Sequence, residues 1–342
     1  MSLARQIGRG LSCLTIRMAN ERRMTFAYTF PGQGSQTVGM GRDLAHQFPA
    51  ARLVFEAVDD ALGERLSTLM WEGSLAELTL TKNAQPALMA VSLAVMAVLD
   101  TEFGNAYAPA FGAGHSLGEY SALAAAGVFS VRDAASLLRL RGIAMQDAVP
   151  EGQGAMLALL GAEVEQAQKL AEAAAARTSS VCGVANDNAP GQVVISGSKS
   201  AIDVAIAIAA DFGIRRAVPL PVSAPFHCAL MRPAADRMAA SLQLVEMKRP
   251  SFPIVSNVTA QQTSDPEHIK MLLVQQVTGI VRWRESVAYM AANGVGTVFE
   301  IGAGRVLTGL ARRICADLDA RSIGTAEDIK SFGAWLEGRV AA

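Results

Sequence analysis

One pentapeptide in this chain has the residue types and spacing of a nucleophile's setting: Gly114-His115-Ser116-Leu117-Gly118. In the pattern Gly-x-Ser-x-Gly a sharp strand-to-helix turn exposes the serine hydroxyl, and glycines two residues to either side leave room for the turn. The flanks suit that reading, since Ala108 to Ala113 reads as a strand and Glu119 to Ala126 as a helix. A helix N-terminus behind Ser116 would also turn backbone N–H groups, chiefly that of Leu117, toward a developing oxyanion. The plain alternative is a glycine-bordered turn around an inert serine.

A serine nucleophile needs a base, and the chain offers His46, His115, His227 and His268. His46 in Asp43-Leu44-Ala45-His46 and His268 in Asp265-Pro266-Glu267-His268 sit in polar helix surroundings and read as surface residues. His115 is locked into the turn beside the serine. His227 lies in a charge-free stretch, Val222-Ser223-Ala224-Pro225-Phe226-His227-Cys228, downstream of the serine in the order of hydrolase-like folds. It is the candidate base; the alternative is a hydrogen-bonded core histidine.

Arg141 is the most informative charge. On a helix from Asp133 to Met145 the apolar face carries Ala134, Leu137, Leu138, Ala144 and Met145, and Arg141 falls on that face while Arg139 points elsewhere. A guanidinium aimed at a core is costly without an anion, and no acid stands one helical turn away. A substrate carboxylate would satisfy it bidentately; a structural salt bridge to a distant acid is the competing reading. The glycine loops Gly32-x-Gly34 and Gly302-x-Gly304 meet Thr37 and Leu307 where a third glycine belongs, so they are poor nucleotide cradles.

These residues need a scaffold. Thr25 to Phe30 reads as a strand, the Pro31 to Gln36 segment as a loop and Gly41 to Leu62 as a helix. The same unit recurs at Ala108 to Ala126 and at Gly296 to Cys315, and a buried helix runs from Pro86 to Leu99. Such alternation builds a parallel sheet covered by helices. Between 150 and 222 the order becomes strand, helix, strand, strand, helix, strand, the ferredoxin-like βαββαβ sequence. The expected architecture is therefore α/β, a hydrolase-like parallel-sheet core over 24–149 and 223–342 with a ferredoxin-like insert at 150–222.

Composition limits the rest. Net charge is −1 and charged residues make up 18%, so there is no polybasic footprint for nucleic acid or an anionic membrane. The charge-free apolar stretch Asn83 to Leu99 is shorter than the roughly 20 residues of a spanning helix. Four dispersed cysteines suit a reducing cytoplasm rather than a disulfide framework or a C-x-x-C metal site. Residues 1–23 carry five arginines and one acid, and read as a disordered tail, an upstream start or a transit-like leader.

Five motifs in order carry a resemblance: Phe30-Pro31-Gly32-Gln33-Gly34-Ser35-Gln36, Gly114-His115-Ser116-Leu117-Gly118-Glu119-Tyr120, Arg139-Leu140-Arg141-Gly142, Pro225-Phe226-His227-Cys228 and Gly302-Ala303-Gly304-Arg305-Val306-Leu307. From about Met24 onward the chain resembles the malonyl-CoA:acyl carrier protein transacylases of fatty acid synthesis. The resemblance implies ping-pong transfer through a malonyl-Ser116 ester with His227 as base. It implies an oxyanion hole from the backbone N–H groups of Gln33 and Leu117, and Arg141 on the malonyl carboxylate. It also implies a glutamine carbonyl in place of a triad acid, best matched by Gln276 in a Gln275-Gln276 doublet, and Phe226 as a bulky residue favouring malonyl over branched acyl units. Malonyl-CoA and the holo-acyl carrier protein are then the partners of a cytoplasmic monomer with no cofactor. Two rivals remain: a serine thioesterase or hydrolase of the same fold with a triad acid such as Asp187 or Asp203, and malonyl loading for polyketide assembly. A non-catalytic carrier-binding module is a third.

Overall fold

The computed structural model describes residues 25–104, 107–222 and 224–340. The segment 1–23, read as a tail, an upstream start or a leader, lies outside the described residues.

Among the described residues, ten strands form two sheets. The larger contains β1 (Phe26–Phe30), β2 (Phe111–Gly114), β7 (Ile254–Val255), β8 (Gln262–Thr263), β9 (Thr297–Ile301) and β10 (Asp319–Ile323), in the order β10-β9-β1-β2-β7-β8. Every pairing is parallel except the β7–β8 edge. β1 and β9 are buried along their whole length, which their apolar runs require of a sheet covered on both faces. Because β1 pairs β2 on one side and β9 on the other, the chain changes direction there, and the loops leaving the carboxyl ends of these strands open onto a common crevice. Phe30 lies opposite Gly114 in register. Gln33, three residues beyond one strand end, therefore faces Ser116, two beyond the other.

The smaller sheet contains β3 (Gly154–Leu160), β4 (Cys182–Ala189), β5 (Gln192–Ser198) and β6 (Arg216–Pro219), all antiparallel, in the order β4-β5-β3-β6. The Val164–Thr178 and Lys199–Ile208 helices pack on it around a separate apolar cluster that includes Leu157, Leu170 and Ile195. β4 runs on past Ala185 to Ala189. Two register shifts there free its backbone, and Asp187 N–H donates to Val281 O (3.0 Å) while Val281 N–H donates to Ala185 O (2.9 Å). This seam ties the small sheet to the segment just after the Pro266–Thr278 helix.

Other boundaries move for local reasons. The helix read over 41–62 is two helices, Arg42–Gln47 and Pro49–Leu62, because Phe48 is extended and Pro49 starts the second one. The helix read from Pro86 begins earlier and spans Thr81–Phe103, carrying Pro86 inside it. At 23 residues it is long and apolar enough to cross a bilayer by length and composition, yet 72% of its most apolar window is buried inside the protein. It packs against the Pro49–Leu62, Leu117–Ala125 and Val131–Asp147 helices. Its fully buried Leu, Val and Met side chains each contribute roughly 1.5–3 kcal/mol of core burial. β6 stops at Pro219, in a segment where Pro219 and Pro221 lack the N–H a ladder needs.

Candidate active site

The Ser116 turn is sterically determined. A Cβ on Gly114 would come within 1.9 Å of the Gly118 carbonyl, and one on Gly118 within 2.2 Å of Phe30 O, so both flanking positions exclude any side chain. Ser116 itself sits at φ 55°, ψ −110°, a strained conformation for a residue with a Cβ. Asn257 holds it there: its Oδ1 accepts from Ser116 N–H (2.7 Å) and its Nδ2 donates to Gly114 O (2.6 Å).

His227 reaches the serine from the segment ahead of the Arg232–Leu242 helix, with its Nε2 2.8 Å from Ser116 Oγ. Its Nδ1 lies 2.9 Å from the carbonyl oxygen of Gln276. A carbonyl can only accept, so Nδ1 carries the proton and Nε2 presents its lone pair to the hydroxyl. Burial first, then the Arg141 charge, push the imidazole down to about 3, so it is neutral at physiological pH, with Nε2 unprotonated. Of the two glutamines in the doublet, Gln276 supplies the contact. Asp187 pairs with Arg284 (2.9 Å) and Asp203 with Lys199, so neither acid invoked by the hydrolase reading bonds His227.

Arg141 is 1% exposed and among the largest fully buried side chains. Its Nη1 donates to Gln85 Oε1 (2.7 Å), and its Nη2 donates to Gln276 Oε1 (2.8 Å) and Ser116 Oγ (3.1 Å). The guanidinium also lies 5.7 Å from the centre of the Tyr120 ring. Its Nε–H has no acceptor, and among the described residues no carboxylate stands within ion-pair distance. The salt bridge to a distant acid is absent there. What surrounds this charge is a set of neutral acceptors that a carboxylate can displace.

Gln33 is braced through its side chain, which accepts from Thr81 Oγ1 (2.8 Å). Among the described residues no acceptor meets the backbone N–H of Gln33 or Leu117, whereas those of Gly118 and Glu119 bond His115 O and Ser116 O. Both free N–H groups belong to residues lining one cavity of about 280 Å³ together with Ser116, Arg141, His227 and Phe226. His115 stays out of the chemistry: its Nε2 is 2.8 Å from Asn188 Oδ1. His46 and His268 are exposed, as expected.

Four residues of the site were not singled out from the sequence. Asn257 sits in a turn and Asn188 near the end of β4, neither with a local pattern. Gln85 is a polar residue inside the apolar Thr81–Phe103 helix, a mismatch of the kind that marked Arg141. Glu119 stands in the serine motif and is buried, accepting at Oε2 from Gln276 Nε2 (2.7 Å) and Asn257 N–H (3.2 Å). Burial pushes its carboxyl up to about 7, against those hydrogen bonds and the Arg141 charge.

A histidine-coupled serine on a glycine-bordered elbow, at the carboxyl ends of a parallel sheet, is the arrangement of α/β enzymes that handle acyl groups through serine. The chain belongs to the acyl transferase domain family, whose model matches residues 27–331. It is 46% identical over 298 residues to the malonyl CoA-acyl carrier protein transacylase of Escherichia coli (strain K12), covering 87% of this chain and 95% of that one. Among solved structures, an acyl-carrier-protein-S-malonyltransferase from Bartonella henselae superposes with a TM-score of 0.89 at 54% identity, over 92% of this chain and 100% of that one. A malonyl-transacylase solved in complex with a type II PKS acyl-carrier protein matches with a TM-score of 0.86 at 43% identity, covering 90% and 98%.

Proposed function

We propose that this acyltransferase moves a malonyl group from malonyl-CoA to the phosphopantetheine thiol of an acyl carrier protein, supplying extender units for fatty acid synthesis. The observation that carries the reading is Arg141, a buried cation whose direct hydrogen bonds, to Ser116 Oγ, Gln85 and Gln276, all go to neutral acceptors. A neutral acyl group gives such a cation no reason to exist; a carboxylate about one carbon beyond the reacting carbonyl does.

His227 Nε2 takes the Ser116 proton as Oγ attacks the thioester carbonyl, and the oxyanion forms against the N–H groups of Gln33 and Leu117. The C–S bond then breaks and the imidazolium returns the proton to the departing CoA sulfur, leaving a malonyl ester on Ser116. The carrier thiol repeats the steps in reverse, giving its proton to His227 and displacing the serine oxygen. The Gln276 carbonyl holds the tautomer and stabilises the imidazolium. A carbonyl does so less strongly than a carboxylate, which favours a thiol acceptor over water.

The large sheet with residues 24–149 and 223–342 acts as the catalytic unit and 150–222 as a ferredoxin-like insert, a division supported by the strand order of the small sheet. Met156, Asn186 and Leu220 to Val222 bring the insert to the cavity wall, where it shapes the acyl-binding space. The enzyme acts as a cytoplasmic monomer without a cofactor. Initial rates with both substrates varied test the reading: parallel double-reciprocal lines are the ping-pong signature, and intersecting lines would refute it.

A further inference from the structure

Arg141 and Glu119 are two buried, oppositely charged side chains bridged by one neutral amide. Gln276 accepts from Arg141 Nη2 at Oε1 (2.8 Å) and donates from Nε2 to Glu119 Oε2 (2.7 Å), while its backbone carbonyl holds His227. We propose that Glu119 is the counter-charge of Arg141, relayed through the Gln276 amide, and that it takes up a proton when a carboxylate-bearing acyl group enters the site. It is thus a positioning residue that sets acyl selectivity, an inference that rests on the malonyl reading above.

Buried charges must balance here. With no carboxylate bound, the site holds one cation and one anion. A malonyl carboxylate on Arg141 adds a second anion to a volume that is closed to water at Glu119, which is 2% exposed. An uncompensated buried charge is removed most cheaply by protonation. Oε2 can go on accepting from Gln276 and Asn257 while the proton sits on Oε1, so the bracing of the elbow survives. The Ser256 hydroxyl favours the ionised form, as do the hydrogen bonds from Gln276 and Asn257, but burial outweighs them. A neutral acetyl group brings no charge and calls for no proton.

The charged and titratable groups facing Glu119 are few. Arg141 comes from the Val131–Asp147 helix, Tyr120 sits beside Glu119 on its own helix, and His227 lies across Gln276. The Tyr120 phenol is held up at about 12 and the His227 imidazole down at about 3, so neither titrates near neutrality. β1, β2 and the Thr81–Phe103 helix, also packed on this helix, contribute no charge to it. Glu119, at about 7, is the group able to respond.

The test is single-turnover acylation with malonyl-CoA and with acetyl-CoA from pH 6 to 8, in wild type and in Glu119→Gln, which keeps an acceptor and removes the charge. If the malonyl group is held well only by the protonated form, its half-saturating concentration in wild type rises about tenfold between pH 6 and 8, following a one-proton titration near 7. The acetyl value stays level, and Glu119→Gln is level for both. Wild-type curves that are level for malonyl, or that rise in parallel for both substrates, overturn the proposal. So does a malonyl slope that persists in Glu119→Gln. Should that variant fail to fold, the wild-type malonyl and acetyl curves decide alone. Failure of the malonyl reading itself looks different: no malonyl ester at any pH.

Discussion

If Arg141 binds the malonyl carboxylate as proposed, replacing it with alanine removes that contact, and the size of the effect follows from the bonds it makes. The guanidinium offers a carboxylate two parallel charge-assisted hydrogen bonds, each worth roughly 1.5–3 kcal/mol. Losing both removes about 3–6 kcal/mol of malonyl binding; solvent entering the vacated space recovers part of it, leaving a fall in kcat/KM for malonyl-CoA of about 10²–10³-fold. Acetyl-CoA forfeits no ion contact, and Ser116 Oγ is released from the 3.1 Å bond to Arg141 Nη2, so its rate changes by less than about tenfold in either direction. The variant therefore prefers acetyl over malonyl relative to wild type. Mixing enzyme with equimolar malonyl-CoA and acetyl-CoA and weighing the acyl-enzymes by intact mass spectrometry reads the ratio directly. Because Gln85 Oε1 and Gln276 Oε1 lose their donor, thermal unfolding is recorded alongside, and Arg141→Lys supplies a second arm that keeps one cation without the fork. Equal losses for the two acyl groups would refute the carboxylate role.

Three further outcomes follow from the same geometry. The histidine limb is displaced: an imidazole titrating at its ordinary value near 6.5 would slow acetyl-CoA acylation about 25-fold between pH 7 and 5, whereas His227, held down at about 3, loses less than about twofold. A midpoint near 6.5 would contradict it. The sign for stability is the same, since a folded value below the unfolded one gives His227 a contribution present above pH 6.5 and lost as pH falls toward 3. Asn257→Ala orphans Ser116 N–H and Gly114 O. It lowers stability to denaturant by about 1–3 kcal/mol and kcat by at least about tenfold through a misplaced nucleophile, and an unchanged kcat would remove Asn257 from the elbow's support. Gly114→Ala forces its Cβ against the Gly118 carbonyl and costs more than about 4 kcal/mol. Gly183→Ala, with nothing within 4 Å of the added atom, costs less than about 1 kcal/mol, and similar losses at the two sites would defeat the steric argument.

Residues whose role depends on local pattern were legible in the sequence. Ser116 is announced by its glycines, and Arg141 by a charge on an apolar helical stripe. His227 stands out by elimination among four histidines. The strand–loop–helix rhythm predicts the parallel sheet for the same reason, as its period is written along the chain. What the sequence concealed depends on contacts made across it. Asn257 is 141 residues from the serine it braces and looks like any loop asparagine. The Gln276 carbonyl is a backbone group, so side-chain chemistry could not pick it out, and only the resemblance pointed there. Element ends moved where tertiary pairing outweighs local preference, as where β4 is drawn on to Ala189 by its seam with Val281.

The central claim is that Ser116 carries the acyl group between two thiols. Intact mass spectrometry of the protein after mixing with malonyl-CoA alone tests it most directly. A single malonyl adduct is expected, mapping to the Ser116 peptide, absent in Ser116→Ala, persistent in buffer and discharged when holo-acyl carrier protein is added. An adduct that survives in Ser116→Ala, or transfer to the carrier with no acyl-enzyme formed at all, would contradict it.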